Sequence, residues 1–400
     1  MRTVTVVAGM VALALGPMAL AQEQPAQFET PWVDWQPPVV EMPQPNAFAL
    51  YERAFDLLEG FESPERDGTA EDVAAAVEGR EMALRTLQEA IMGECLLPRM
   101  ESLESTEQGF AFLAKFRNCA RFLSAMSRYH MNQGLSGQAG LDCIDGVRMA
   151  ADAGRGGSLI NGLVTVAIEA ISTRQLEDLV PSMQAEDCRI AVQALLDANA
   201  RRVSFAEVTE GESITGRLLM KEKFAYMAAD WEANVRAMGA TPEQIEQMKQ
   251  QTGEWQPADS WNAYGRWFAQ VIEQARKSYW EREAVPKPGD PLVDLLVPVY
   301  DIAGFKFAAG DAYLRLALVH LAGQAYMLDS GAPPENLDQL VPAYLPYIPD
   351  DPFRDAPLAS AIVDGDFAIY SVGPDLLDNH GFAIEGYARD DSQGDIVVRL

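Results

Sequence analysis

The chain has 400 residues, 48% of them hydrophobic, with 31 Lys+Arg against 59 Asp+Glu and a formal net charge of −28. That length suits two domains, or one long helical body with an appended module, and the apolar content is ample for a buried interior. So acidic a surface repels nucleic acid and anionic lipid, which argues against DNA, RNA and membrane-surface binding and favours solubility and cations.

The N-terminus, MRTVTVVAGMVALALGPMALAQEQ, has one Arg, an apolar run from Val4 to Leu15, a Gly16-Pro17 break and a small-residue site at Ala19-Leu20-Ala21. This pattern predicts a secretory signal over 1–21, cut before Gln22, because the run is shorter than the ~20 residues a spanning helix needs. The expected location is therefore the periplasm or the exterior. Residues 22–45, rich in proline and carrying Trp32 and Trp35, read as an extended arm lying along the body.

From 46 to 283 apolar residues recur at spacings of three and four, which predicts an α-helical body. Asn46 is a plausible N-cap for a helix carrying Phe48, Tyr51, Phe55 and Leu58. Phe112, Phe116, Cys119, Leu123, Met126 and His130 form a second stripe, and Leu159, Leu163, Val166 and Ala170 another that stops near Pro181. Met220, Phe224, Met227, Trp231, Val235 and Met238 mark a long helix, Thr241-Pro242-Glu243-Gln244 a restart, and 258–283 a further helix with Trp261, Tyr264, Phe268, Val271 and Ala275. The stretch RYHMNQGLSGQAGLDCIDGVRMAADAG resembles a tetratricopeptide-type helix pair, with small residues Ala139, Gly140 and Gly146 where helices pack closely. Cys95, Cys119, Cys143 and Cys188 either bridge in an oxidising compartment or serve as small buried hydrophobes, and their spacing excludes a CxxC motif.

Pro286-Lys-Pro-Gly-Asp-Pro291 is the strongest linker signal, so 284–292 is expected to separate the body from a module at 293–400. Phe305, Ala309, Ala312, Leu316, Val319, Gly323 and Tyr326 form one stripe while Leu314, Leu318 and Leu321 fill other faces, so this helix should be buried all round. Prolines at 342, 346, 349 and 352 stop helix formation in NLDQLVPAYLPYIPDDPF, where Tyr344, Leu345, Tyr347 and Ile348 are the expected anchors. The strands FAIYSVG and GDIVVRL follow, separated by acidic turns. The fold class is thus mainly α, an irregular multi-helix body with a small α+β module at its C-terminus.

The order of long apolar helix, AYMLDSGAPPENLDQLV, PAYLPYIPDDPF, FAIYSVG, PDLLDNHG and GDIVVRL resembles the globular part of the major pseudopilin of type II secretion systems. The chain as a whole is similar to uncharacterised exported bacterial proteins that join such a tail to a helical body containing a segment like GRGGSLINGLVTVAIEAISTRQLEDLV. An ordinary signal in place of a prepilin peptidase site implies that the protein does not polymerise as a pilus subunit. The resemblance also implies a Ca²⁺ site, with Asp375 and Asp395 at matching positions and Asp378 offering a further oxygen, while Gln393 stands where the family has another acid. Asp390 and Asp391 crowd the same turns. On the residues alone, the acids are equally well read as turn formers on a solvated edge.

No G-x-S-x-G elbow, H-E-x-x-H helix or Walker loop occurs. His130 and His320 fall on apolar faces and read as packed histidines, whereas His380 sits in the acidic turn. Glu207, Glu210 and Glu212 beside Ser213 and Arg217 are the one carboxylate cluster that could do acid/base work, against the alternative of a solvated helix face. The leading expectation is a non-enzymatic exported envelope protein whose helical body binds a protein partner. The alternatives are an envelope hydrolase built on the Glu207–Glu212 acids, and an accessory component of a type II secretion-like machine. A pocket of converging buried acids would favour the hydrolase, and an apolar groove without them the binder.

Overall fold

The computed structural model describes residues 31–99, 102–227, 257–290, 293–295 and 297–400, with isolated positions between 236 and 246. The expected signal at 1–21, residues 22–30 of the arm, and Trp231, Val235 and Met238 lie outside the described residues. The helices are α1 Phe48–Leu57, α2 Ala70–Val77, α3 Glu81–Met92, α4 Leu103–Asn132, α5 Ser136–Gly154, α6 Leu159–Leu179, α7 Ala185–Ala200, α8 Phe205–Met227, α9 Pro257–Ala275 and α10 Val297–Ser330. The strands β1 Ala359–Val363, β2 Asp366–Ser371 and β3 Ile396–Arg399 form one antiparallel sheet in that order. The protein is therefore mainly helical with a small α+β part at its C-terminus.

Local chemistry starts the helices where the sequence suggests. Asn46 Oδ1 accepts the N–H groups of Phe48 (3.1 Å) and Leu96 (3.2 Å), so one amide caps α1 and ties it to the segment before α4. The α1 stripe of Phe48, Tyr51, Phe55 and Leu58 is buried. The expected α4–α5 pair turns at Gly134, whose φ of 75° suits glycine, and its small residues allow close packing. A Cβ on Gly146 would meet Ser172 Oγ of α6 at 2.2 Å, and one on Gly140 the Met183 side chain at 2.9 Å. α6 is the central helix, packed on α4, α5, α8 and α10. All four cysteines are free and buried.

Trp32 of the arm is part of the core. Trp32 is 1% exposed, edge-on to Phe224 at 5.2 Å and tilted against Trp261, while Lys221 Nζ donates to the carbonyls of Val33 (3.2 Å) and Trp35 (2.7 Å). The expected helix over 258–283 ends earlier, at Ala275. The Arg276 and Lys277 N–H groups close its last turn, and Gln274 Oε1 accepts from Glu283 N–H at 3.0 Å, so the chain folds back through a short turn at Tyr279–Glu281.

Beyond the 284–292 segment, α10 runs back into the body. Its buried residues share one apolar cluster with α5, α6 and α7 on one side and with β2 and β3 on the other. Arg202 makes a bidentate pair with the buried Glu169 (2.7 and 2.9 Å) and a 2.7 Å pair with Asp311, clipping α10 to α6. In the connector, Leu345 is buried and Tyr344 and Ile348 are half-buried, but Tyr347 is 58% exposed because the bend at Pro346–Tyr347 turns its ring outward. Phe353 is the missing anchor, 1% exposed and edge-on to Tyr279 at 5.1 Å. β1 joins the two expected strands through a two-residue turn, Asp364-Gly365, with φ of 57° and 99°.

Candidate functional site

The structure brings the acidic turns together as the strand pairing requires. Asp375 Oδ2 accepts the Gly394 N–H (3.0 Å) and the Asn379 side-chain N–H (3.2 Å), and Oδ1 accepts the Leu377 N–H (3.0 Å). Asp395, fully buried, accepts from Asn379 N–H (3.2 Å) and Gly381 N–H (2.6 Å). Asp378 accepts from the Tyr370 hydroxyl (3.0 Å), His380 N–H (3.0 Å) and Arg354 (3.1 Å). Burial pushes the Asp395 carboxyl up, whereas at Asp378 burial is outweighed by the His380 N–H, Tyr370 and Arg354, which hold it low. The carboxylates face N–H and O–H donors and so cross-link the turns. Among the described residues no group of three or more His, Cys, Asp or Glu is placed to hold a metal ion. Asp351, which the sequence does not single out, works the same way: it is 2% exposed and accepts from Ser371 Oγ (2.6 Å), Val372 N–H (2.8 Å) and Phe353 N–H (3.0 Å).

The Glu207–Glu212 acids are dispersed over three separate tasks. Glu207 closes a capping box with Ser204 (2.7 and 3.2 Å) at the start of α8. Glu210 pairs with Arg276 on the surface at 2.6 Å. Glu212 accepts the Leu159 N–H at 2.9 Å and so caps α6, with burial pushing its carboxyl up. His130 Nδ1 lies 2.6 Å from the buried Asp142 and joins α4 to α5, His320 is 3% exposed beneath the sheet, and His380 is exposed.

A cavity of about 340 Å³ lies where α8, α9 and α10 meet the tail, walled by Phe205, Trp267, Val271, Tyr279 and Tyr300 and reached by Pro374 and Leu376 of the acidic turn. Arg282 stands in this wall. Its guanidinium lies 4.9 Å from the Phe205 ring and 5.6 Å from the Tyr279 ring, and it donates to the Lys277 carbonyl (3.2 Å) and the Gly304 carbonyl (3.3 Å). Gly304 makes room for it, since a Cβ there would stand 3.0 Å from Nη1. Burial, opposed by Tyr279, pulls the guanidinium down to about 10. Trp267 Nε1 and Tyr300 OH, on rings that are 3% and 6% exposed, have no hydrogen-bond partner among the described residues. This site escapes a reading of spacing because its residues come from four distant segments. The sequence signals that could have pointed to it are the aromatic density of 261–280 and an arginine set in a proline-rich link.

The fold is thus a mainly helical body closed by a small α+β tail, with an aromatic cavity at their junction. Comparison with models of known protein families, with curated proteins and with solved structures gives no match. Among the described residues no helix is long and apolar enough to cross a membrane.

Proposed function

We propose that the protein is an exported, non-enzymatic cell-envelope protein whose helical body binds a partner, with the junction cavity as the place where a group of that partner enters. The observation that supports this is the make-up of the wall: aromatic and aliphatic surface with a guanidinium that, among the described residues, forms no ion pair. Binding sites are typically concave and apolar with a few placed polar groups, and this cavity has that character. Acid/base or nucleophilic catalysis needs a base within hydrogen-bond reach of its target group, and the three candidate glutamates instead serve a cap, a surface pair and a second cap.

The test is a titration of the full mature chain with benzyl alcohol, a neutral aromatic probe, followed by tryptophan emission, since Trp267 and Trp280 line the cavity. The wild type is expected to show a saturable change that is lost in Gln274→Trp, a half-buried wall position where the larger ring fills the space. A folded wild type with no saturable response overturns the proposal.

A further inference from the structure

We infer that the junction cavity takes a carboxylate carried on an apolar body, with Arg282 as its counter-charge. This deepens the binding proposal above and rests on it. In a chain with a net charge of −28, half-buried arginines such as Arg128 and Arg217 rest on backbone carbonyls or rings, but many packed ones meet acids: Arg202 with Glu169 and Asp311, Arg315 with Asp311, Arg155 with Asp152, Arg148 with Asp145. Arg282 does not. Among the described residues its hydrogen bonds run to two backbone carbonyls, through Nε and Nη1, and Nη2 has no acceptor.

The guanidinium is also held in place before any ligand arrives. Two rings sandwich it, two carbonyls fix its plane, and Gly304 leaves the gap that it fills. An arginine fixed in this way presents a planar fork that matches a carboxylate, and little rotamer freedom remains to be lost on binding. Trp267 Nε1 and Tyr300 OH are buried behind their rings, so the polar group that the wall offers a ligand is the guanidinium. The remaining surface, Phe205, Val271 and the face of Tyr279, is apolar and asks for a hydrocarbon or aromatic body.

Size and charge narrow the class further. A volume of about 340 Å³ is at the small end of ligand sites, which suits one ring or a short alkyl group. Glu283 and Asp301 are exposed at the same cavity and oppose a second negative charge, so a monocarboxylate is favoured over a dicarboxylate or a phosphate. A free small carboxylate and the C-terminal residue of a polypeptide share this chemistry.

The experiment is calorimetric titration of the full mature chain with phenylacetate and with its neutral isostere phenylacetamide. Phenylacetate is expected to bind at least about tenfold more tightly, the scale of a charge-assisted hydrogen bond. Arg282→Met, which keeps the aliphatic stem, should bring the two ligands to equal affinity, whereas Arg276→Gln on the nearby surface should leave the preference intact. If Arg282→Met fails to fold, Gly304→Ala displaces the guanidinium and should shrink the same preference. N-acetylphenylalanine and N-acetyl-Ala-Ala-Phe then separate the sources: a peptide tighter than phenylacetate marks a chain terminus, and the reverse order a free small acid. Equal binding of phenylacetate and phenylacetamide to the wild type overturns the inference while leaving the cavity as a binding site. No binding of either, by protein with an intact melting curve, removes both.

Discussion

At the scale of single residues, burial sets two opposing acid responses. His320 sits beneath β3, and burial pulls its imidazole down to about 4 despite the hydrogen bond that it donates to the Arg399 backbone carbonyl. The unfolded chain takes up this proton near the ordinary value of about 6.5, but the folded protein does not until near 4, so stability attached to His320 is lost as pH falls through that window, by about 3 kcal/mol in all. Asp145 and Asp152 run the other way. Burial raises both to about 6, so folding takes up their protons first and gains stability as pH falls from about 6 toward 4. The difference between variants isolates the histidine: urea unfolding at pH 7 and pH 4.5 should show His320→Leu losing less stability on acidification than the wild type, and equal losses would contradict the assignment. Asp395 gives a second residue-scale prediction. Asp395→Ala leaves the Asn379 and Gly381 N–H groups without acceptors, at a cost of about 1–3 kcal/mol for each buried orphan. Because those N–H groups already occupy the carboxylate, the loss is expected with or without millimolar CaCl₂. A wild-type melting temperature that rises with CaCl₂, falls with EGTA and loses this dependence in Asp375→Ala would show instead that the turns exchange N–H donors for calcium.

At the scale of elements, the connector and the buried ion pair decide how the tail is held. Phe353→Ala removes a ring packed on Tyr279 and Phe305 and is expected to cost about 3–5 kcal/mol, whereas Tyr347→Ala, on an outward-facing ring, should stay within about 0.5 kcal/mol by thermal denaturation. Arg202→Met strands the Glu169 carboxylate in the interior, and chemical denaturation should show a loss of about 3–5 kcal/mol. These contrasts also mark what the sequence could say. The stripes of α1, α4 and α10 were legible because periodicity of three and four states which face is buried, and Gly140 and Gly146 because small residues at a helix crossing have a steric reason. β1 escapes a reading of alternation although Asp364-Gly365 is a strong hairpin signal, because none of its five residues is fully buried. Tyr347 was misplaced because proline positions show that a chain bends and not which way the next ring points. The cavity was illegible since Phe205, Arg282, Tyr300 and Leu376 become neighbours only through the fold.

At the scale of the whole molecule, one apolar cluster runs from α5 through α7 and α10 into the sheet, so the helical body and the C-terminal part share an interior. A chain ending at 292 leaves the faces of α6 and α7 that pack on α10 exposed, and it is expected to yield aggregated or poorly dispersed material. Two separable melting transitions in the full chain would contradict that expectation. Trp32 extends the same logic to time. It belongs to the first part of the chain to be made, yet its ring packs on Phe224 and Trp261, roughly two hundred residues later. Closing so long a loop is slow compared with forming the helices between, so this corner of the interior is completed last, and until then an indole stays open to solvent. The arm is therefore a clasp that fastens only once the chain as far as Trp261 has been made and folded.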